Sequence, residues 1–323
     1  CMNRRIIFMG TPALAVASLN ALVDARMEVV AVVTAPDRPA GRGQQLRMSA
    51  VKERALELGL PVLKPEKLRA PDFLAQLDVL NASLYIVVAF RMLPEAVWNR
   101  PARGTINLHA SLLPDYRGAA PINWAIINGE RRTGVSTFFI GADIDTGDIL
   151  LREETEIGTE ENAGALHDRL MAMGADLLTR TVKDLFDDTL YNIPQSEFVG
   201  DMVHDAPKLT RENCRIDWKL PSQRVHDLIR GLHPEPGAWS MWREQGKPDR
   251  QFKVLRSKVA PSGAGSGRKG DGPGTLFVHE GKLLVRCGSG MIEGSIVQME
   301  GKRPVDGEAF ARGSRDLHGV VLG

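Results

Sequence analysis

The stretch Gly104-Thr105-Ile106-Asn107-Leu108-His109-Ala110-Ser111-Leu112-Leu113-Pro114 predicts a strand that runs into a turn. Ile106 and Leu108 alternate with Asn107 and His109, and side chains two apart on a strand share one face. The proline at the end of the stretch breaks the strand, so an amide and an imidazole are expected to emerge together. Such a pair suits a reaction that builds negative charge on a carbonyl oxygen. Taken alone, one Asn-x-His pair is more often a structural hydrogen-bonded pair.

The residues before this strand predict an α/β sheet. Apolar runs at 5–9 and 28–34 flank a helical pattern that ends near Asp24, and 84–89 is a continuous apolar run typical of a buried parallel strand. This alternation favours an open Rossmann-like parallel sheet. Gly10 stands in the first turn without the Gly-x-Gly-x-x-Gly pattern, so a dinucleotide cofactor is not expected.

The second half of the chain has a different pattern. Short alternating runs are separated by glycine-rich joints, and they lie at 239–243, 252–259, 275–278, 283–286 and 295–299. Several short strands with glycine turns favour a small OB-like β-barrel. We therefore expect an α/β domain over 1–190, a linker over 191–206 and an OB-like barrel domain over 207–323.

Composition places the chain among ordinary soluble globular proteins. Its 323 residues are 43% apolar and 25% charged, and no apolar run approaches the roughly 18 residues that span a bilayer. Cys214 and Cys287 have no Cys-x-x-Cys or histidine spacing, so neither a disulfide framework nor a zinc site is expected. A reducing cytoplasm is the expected location.

Charge is distributed unevenly between the two halves. From Pro207 onward there are 20 Lys and Arg against 13 Asp and Glu, a balance of +7, which leaves 21 against 27, or −6, before it. Such segregation suggests that the second half meets a polyanion. Chance scatter and solvent-exposed lysines are the alternative interpretation.

Two motifs raise the Asn-x-His pair above a structural interpretation. The run Asn-Leu-His-Ala-Ser-Leu-Leu-Pro-Asp-Tyr-Arg-Gly-Ala-Ala-Pro-Ile at 107–122 is followed by Asp-Ile-Asp-Thr-Gly-Asp at 143–148. Together they closely resemble the signature of the folate-dependent formyltransferases. The resemblance implies that Asn107, His109 and Asp145 form the catalytic trio.

The same resemblance implies where a folate donor binds. The donor would be 10-formyltetrahydrofolate, with no metal, and the site would be lined by the turn Ser111, Leu112, Leu113 and Pro114.

The loops after the predicted strands at 5–9 and 84–89 are also implied to be ligand sites. Val88, Ala89 and Phe90 would hold the pterin ring, with Arg91 beside it, and the family's acceptor side chain would lie near Thr11, Pro12 and Leu14.

The polar loop at 36–43 carries two prolines, two glycines and two arginines. A plain surface loop is the ordinary interpretation. It is also similar to the loop that marks the family members acting on initiator methionyl-tRNA, which implies that Arg42 and Arg38 contact tRNA. The implied reaction moves a formyl group from the folate to the α-amino group of methionyl-tRNA for translation initiation. The implied enzyme is a bacterial-type transferase, and a monomer is expected.

Two other functions compete with this one. Formylation of a small amine, such as a nucleotide sugar or a purine precursor, would use the same chemistry but leaves the 36–43 loop and the basic second half unexplained. An oligonucleotide-binding module fused to an inactive α/β domain is the other, and the intact Asn107, His109 and Asp145 argue against it.

Overall fold

The computed structural model describes residues 3–40, 45–198, 200, 203–261, 263, 271–314, 317 and 319–323. The helices are α1 (Leu14–Asp24), α2 (Ala50–Glu57), α3 (Pro71–Leu80), α4 (Glu95–Trp98), α5 (Pro121–Ile127), α6 (Ala163–Phe186), α7 (Ser222–Gly231) and α8 (Gly307–Gly313), with a 3₁₀ helix at Gln195–Phe198. The strands up to the middle of the chain are β1 (Ile6–Gly10), β2 (Val29–Val33), β3 (Arg38–Ala40), β4 (Gln45–Arg47), β5 (Val62–Leu63), β6 (Leu84–Val88), β7 (Thr105–His109), β8 (Arg117–Gly118), β9 (Arg132–Phe139) and β10 (Ile149–Glu156). The later strands are β11 (Asp205–Ala206), β12 (Ala238–Glu244), β13 (Arg250–Val259), β14 (Leu276–His279), β15 (Lys282–Arg286), β16 (Met291–Met299), β17 (Val305–Asp306) and β18 (Val320–Leu322).

The first half forms a seven-stranded sheet in the order β10-β9-β7-β6-β1-β2-β5. The strands β5, β2, β1, β6 and β7 pair in parallel, and β9 pairs with β7 in the antiparallel sense. Every residue of β1 and β6 is buried, as their continuous apolar sequences require. The predicted open Rossmann-like sheet is confirmed.

One face of this sheet packs against helices through alternate residues of its strands. Met9 of β1 and Val87 of β6 belong to one buried cluster with Phe73 of α3. On the opposite face, Leu108 of β7 lies under α6, where a Cβ on Gly174 would come within 2.8 Å of it. Because Leu108 faces α6, the alternation of the strand turns Asn107 away from that helix.

The long helix α6 is amphipathic. Apolar residues along one side of α6 are buried, including Leu170, Leu177 and Val182. Among the residues that the structure describes, no helix is both long enough and apolar enough to cross a membrane.

The second half forms an antiparallel sheet in the order β14-β15-β16-β13-β12-β18. Its two ends meet, since the Leu322 N–H donates to the Gly274 carbonyl at 2.9 Å and Thr275 bridges Val321. A register shift in β13 beside Val254 is a bulge of the kind that helps a sheet curl. The result is a nearly closed barrel, which confirms the predicted OB-like fold.

The chain divides into two compact units, and each is built from segments that are not consecutive in the sequence. One contains Cys1–Gly118, Gly134–Thr155 and Asp168–Asp205, and the other contains Ala119–Thr133, Glu156–His167 and Ala206–Gly323. In the second unit α5 packs on α7, where a Cβ on Gly231 would lie 2.7 Å from Ile127. These compact units are defined by contacts and not by function. The predicted functional domains, with boundaries at residues 190 and 206, therefore stay a prediction.

The loop expected at 36–43 begins as part of a hairpin. Arg38 pairs with Arg47 and Pro39 with Leu46 in a two-stranded sheet. Before the hairpin, Asp37 accepts hydrogen bonds from Lys52 at 2.6 Å and Lys64 at 3.2 Å. The bond from Lys52 is the main reason that the pKa of Asp37 lies below its ordinary value. A carboxylate bound to two lysines therefore fixes the base of the hairpin.

His226 of the second unit occupies an almost fully buried position. The His226 side chain is only 3% exposed, and its Nδ1 lies 3.0 Å from the Ser257 hydroxyl. Its Nε2 lies 3.5 Å from a Glu160 carboxylate oxygen, without a hydrogen-bond partner in the described residues. Burial is the main cause that lowers the pKa of His226, with Arg230 adding to the effect and Glu160 and Asp227 opposing it. The fold therefore favours the neutral imidazole.

This burial predicts a pH-dependent stability of the second unit. The pKa of His226 is lower in the folded state, so the unfolded state binds the proton first as the pH falls. Stability from this residue is present above about pH 6.5 and is lost below it, at up to about 1.4 kcal/mol per pH unit. Replacing His226 with Gln should flatten this loss in calorimetric melts between pH 7.5 and 5.5. The exposed His279 supplies the control, and a His279→Gln change with an equal effect would contradict the assignment.

Candidate active site

The register of three parallel strands brings their carboxyl ends to one edge of the sheet. Gly10 at the end of β1 pairs with Val88 at the end of β6, and Val87 pairs with Asn107 of β7. Loops that follow these strands therefore meet at the edge where open α/β sheets bind ligands.

Asn107 and His109 both lie on β7, as the alternation of the strand predicts. The Asn107 amide oxygen is buried, yet the described residues provide no hydrogen-bond partner for it. A buried amide oxygen without a partner costs free energy, so this atom is suited to meet a ligand N–H group.

The two nitrogens of His109 have different surroundings. Nε2 lies 2.8 Å from the carbonyl oxygen of Tyr116, which can only accept, so Nε2 carries a hydrogen. Nδ1 lies 3.8 Å from Oδ2 of Asp145. The imidazole side chain is only 8% exposed, so its orientation is set by these neighbours. Nδ1 is the nitrogen left to exchange a proton.

Asp145 lies in the loop between β9 and β10, in a left-handed conformation with φ of 54°. Its Oδ2 accepts a hydrogen bond from the Gly118 N–H at 3.0 Å. Its backbone carbonyl accepts from the Gln195 side chain at 2.8 Å. The carboxylate is thus aimed at His109 by contacts on both its side chain and its backbone.

A glycine lets this loop lie close to the sheet. A Cβ on Gly147 would come within 1.7 Å of the Phe139 carbonyl oxygen, which is far inside any permitted contact. The Gly147 carbonyl also accepts from Gln195, at 2.8 Å. No other residue type fits here without moving the loop that carries Asp145.

The turn from Ser111 to Pro114 is held by its own hydrogen bonds. The Ser111 hydroxyl donates to the Asp115 carbonyl at 2.6 Å, and the Ser136 hydroxyl donates to the Ser111 carbonyl at 2.6 Å. Leu113 and Pro114 are buried, whereas Leu112 is half-buried. The turn therefore offers a ligand mainly the Leu112 side chain, since the Ser111 hydroxyl hydrogen and the Ser111 and Leu113 carbonyls are already hydrogen-bonded.

The segment after β6 contains another left-handed residue. Val88 is buried, Phe90 is half-buried, and Ala89 between them has φ of 47°. The Arg91 guanidinium donates to the carbonyls of Pro65 and Glu66 and lies 5.4 Å from the Phe90 ring centre. Burial lowers the pKa of Arg91, and the backbone carbonyls already hold its guanidinium.

The remaining residues predicted from the sequence lie after β1 and on the hairpin. Thr11 is half-buried and Pro12 is exposed, and Leu14 is the first residue of α1. Arg38 is the first residue of β3. Arg42 lies outside the described residues.

Several residues that sequence reasoning missed support this site. Gln195 and His204 belong to the segment expected to be a linker, and the His204 ring stacks on Tyr116 at 5.1 Å between ring centres. His204 also bonds to the Asp115 carboxylate through its backbone N–H at 2.7 Å. No periodicity or charge pattern marks these positions, because each acts through contacts with residues that are distant in the sequence.

The arrangement combines three functions in a small, largely buried volume. The Asn107 amide can bind an oxyanion, the His109 imidazole can move a proton through Nδ1, and the Asp145 carboxylate can stabilise the imidazolium. These are the requirements of a reaction in which a nucleophile attacks a carbonyl carbon.

Family models match both parts of the chain. The model described as "Formyl transferase" matches residues 4–182, and the model described as "Formyl transferase, C-terminal domain" matches residues 208–315.

Curated relatives are similar to this chain over nearly its whole length. The methionyl-tRNA formyltransferase of Parabacteroides distasonis is 44% identical over 99% of this chain and 98% of its own length. The methionyl-tRNA formyltransferase of Chlorobium phaeovibrioides is 45% identical over the same shares of the two chains.

Solved structures share the fold at much lower identity. The sugar 3N-formyl transferase WlaRD, crystallised with dTDP and 5-N-formyl-THF, has a TM-score of 0.64 at 18% identity and covers 94% of this chain and 100% of its own. HypX from Aquifex aeolicus, in complex with tetrahydrofolic acid, has a TM-score of 0.62 at 16% identity and covers 96% of this chain and 47% of its own.

The tight contact at Gly147 generates a prediction. Gly147→Ala should destabilise the first unit by about 1–3 kcal/mol, because the new Cβ must push the loop off the Phe139 carbonyl. Crystal structures of the variant should also show a longer separation between Asp145 Oδ2 and His109 Nδ1. Urea unfolding measures the first effect.

Gly141 in the same loop is the matched control, since a Cβ there meets nothing within 4 Å. Gly141→Ala should change the free energy of unfolding by less than about 0.5 kcal/mol. Equal effects of the two substitutions would contradict the close-contact argument.

Proposed function

The chain belongs to the formyl transferase family, and we propose that it moves the formyl group of 10-formyltetrahydrofolate to the α-amino group of methionyl initiator tRNA. One observation of the site carries this proposal. His109 Nδ1 lies 3.8 Å from Asp145 Oδ2, and His109 shares β7 with Asn107, whose buried amide oxygen has no partner among the described residues. An amide, an imidazole and a carboxylate in this order match the needs of formyl transfer to an amine.

The residues present fit a folate donor. The unpaired Asn107 oxygen is an acceptor for a ligand N–H, and the backbone at Ala89 and the turn through Leu112 border the same edge of the sheet. The donor, when bound, supplies the formyl carbon on a nitrogen that can leave. WlaRD and HypX were crystallised with folates, which supports a folate as the donor here.

We assign the following roles to the three polar side chains. The Asn107 amide N–H donates to the oxygen that becomes negative as the amine attacks the formyl carbon. His109, with Nε2 held by Tyr116, exchanges a proton through Nδ1. Asp145 stabilises the charged imidazole. Loss of one such donor typically reduces the rate by about 10²–10³, equal to roughly 3–4 kcal/mol.

The acceptor is proposed from the whole chain. Full-length relatives at 44% and 45% identity carry the name methionyl-tRNA formyltransferase. The balance of +7 from Pro207 onward, on a barrel of the oligonucleotide-binding type, supports contact with a nucleic acid backbone. Arg38, on the hairpin whose base is fixed by Asp37, is a further cation for that contact. An aminoacyl-tRNA substrate also supports a cytoplasmic location.

Formylation of a small amine is the second candidate. One solved structure with this fold, at 18% identity, is a sugar formyltransferase. The shared fold therefore does not by itself decide between a sugar amine and an aminoacyl-tRNA as the acceptor. A small amine would not need contact with the basic barrel or with the hairpin whose base Asp37 fixes, so this reaction does not explain either feature.

Purified protein tests the proposal directly. With 10-formyltetrahydrofolate it should formylate methionyl initiator tRNA, and amino sugars and small aliphatic amines should react at least 10³-fold more slowly. His109→Ala should lower kcat by about 10²-fold or more, because proton transfer through Nδ1 is lost.

Exposed His279 supplies the matched variant, and His279→Ala should keep wild-type turnover. Equal or faster formylation of a small amine would overturn the acceptor. More than about a tenth of wild-type turnover in His109→Ala would overturn the role of that histidine.

A further inference from the structure

The segment after β10 and α6 contributes a buried amide to the site. Gln195 starts the 3₁₀ helix and is only 4% exposed, although its surroundings in the sequence read as a linker. The segment is tied to the first unit by a pair of backbone hydrogen bonds between Ile193 and Ile149, each 2.8 Å. Gln195 is therefore held where it can act on its neighbours.

Both the donor nitrogen and the acceptor oxygen of the Gln195 amide are hydrogen-bonded to residues beside the site. Nε2 donates to the carbonyls of Asp145 and Gly147, both at 2.8 Å. Oε1 accepts from two nitrogens of Arg117, at 3.0 and 2.6 Å. A guanidinium can only donate and a carbonyl can only accept, so the orientation of this amide is fixed by chemistry.

Arg152 ties the same 3₁₀ helix to the turn at 111–114. Its guanidinium lies 4.0 Å from the ring centre of Phe198, and its Nη1 donates to the Leu113 carbonyl at 3.0 Å. Burial lowers the pKa of Arg152, in accord with a guanidinium that is packed between ring and backbone. The helix that carries Gln195 thus has a second fixed point.

The Asp145 loop needs such support. Asp145 has a left-handed φ of 54°, a conformation that residues other than glycine rarely adopt, and the loop also bends tightly at Gly147. Two hydrogen bonds from one buried amide to the carbonyls on either side of Thr146 oppose relaxation of this conformation. They hold the backbone beside the carboxylate and add to the bond that Gly118 donates to its side chain.

We propose that Gln195 is a positioning residue for formyl transfer, which acts by holding the Asp145 loop so that the carboxylate faces Nδ1 of His109. This inference rests on the proposed function of the site. Gln195 touches neither substrate in this account, and its whole effect passes through Asp145. The segment expected to be a linker is then part of the catalytic architecture.

A double-mutant cycle on the full chain tests the inference. Gln195→Met keeps the length and volume of the side chain but removes both donors. It should lower kcat for methionyl initiator tRNA by about 10- to 100-fold, and KM for either substrate should change less than about threefold. In an Asp145→Ala background, single-turnover rates should fall by less than about threefold on adding Gln195→Met, because the residue acts only through Asp145.

A second variant separates positioning from folding. Gln195→Glu keeps an acceptor for Arg117 and replaces the two donated hydrogen bonds with a carboxylate oxygen against the same carbonyls, so it should still fold cooperatively, as circular dichroism melts measure, and show the lower kcat. Gln76→Met is the matched control, since Gln76 is exposed on α3, and it should keep wild-type kcat.

Wild-type kcat in Gln195→Met, or full rescue by Gln195→Glu, would overturn the inference. A loss that multiplies fully with Asp145→Ala would also overturn it and mark Gln195 as a structural residue. Failure of the proposed function is distinct, because the wild-type protein would then make no formylmethionyl-tRNA.

Discussion

The 2.8 Å hydrogen bond from His109 Nε2 to the Tyr116 carbonyl sets the geometry on which the rest of the site depends. Nε2 of the imidazole is hydrogen-bonded to the backbone, and Nδ1 is left facing Asp145. Tyr116 itself has a left-handed φ of 57°, and its N–H donates to the His204 carbonyl at 2.7 Å. A backbone carbonyl in a strained turn thus determines the direction in which a proton can travel.

Unfavourable backbone conformations gather around this hydrogen bond. Ala89, Tyr116 and Asp145 all have positive φ without being glycines, and each follows or faces the carboxyl edge of the parallel sheet. Such residues persist only where neighbouring contacts hold them, and they are frequent at functional sites. Here Gln195 holds the loop of Asp145, and His204 holds Tyr116. The site is accordingly rigid in the places where a carbonyl or a carboxylate has to be aimed.

The sequence predicted the parts of the fold that depend on periodicity. The alternation of β7, the buried run of β6 and the glycine-jointed strands of the barrel each follow from local pattern, and the structure has all three. Asn107 and His109 could be singled out because strand alternation puts them on one side. Asp145 could be singled out only through the resemblance of its motif.

Other features depend on contacts between distant segments and carry no local signal. Gln195 is a single polar residue in an aperiodic stretch, and nothing in its neighbours predicts that it is buried. The grouping of α5 with the barrel depends on Gly231 meeting Ile127, which lies 104 positions away in the chain. The last strand closes the barrel through Gly274, a contact that only the folded sheet reveals.

The tautomer of His109 is the most direct test of this account. Long-range ¹H–¹⁵N correlation spectra of the uniformly ¹⁵N-labelled wild-type protein, recorded under alkaline conditions where imidazoles are neutral, distinguish the two ring nitrogens. His109→Gln spectra identify the resonances. We expect a hydrogen on Nε2 and a bare Nδ1. A hydrogen on Nδ1, with Nε2 bare, would contradict the Tyr116 hydrogen bond and with it the proposed proton path.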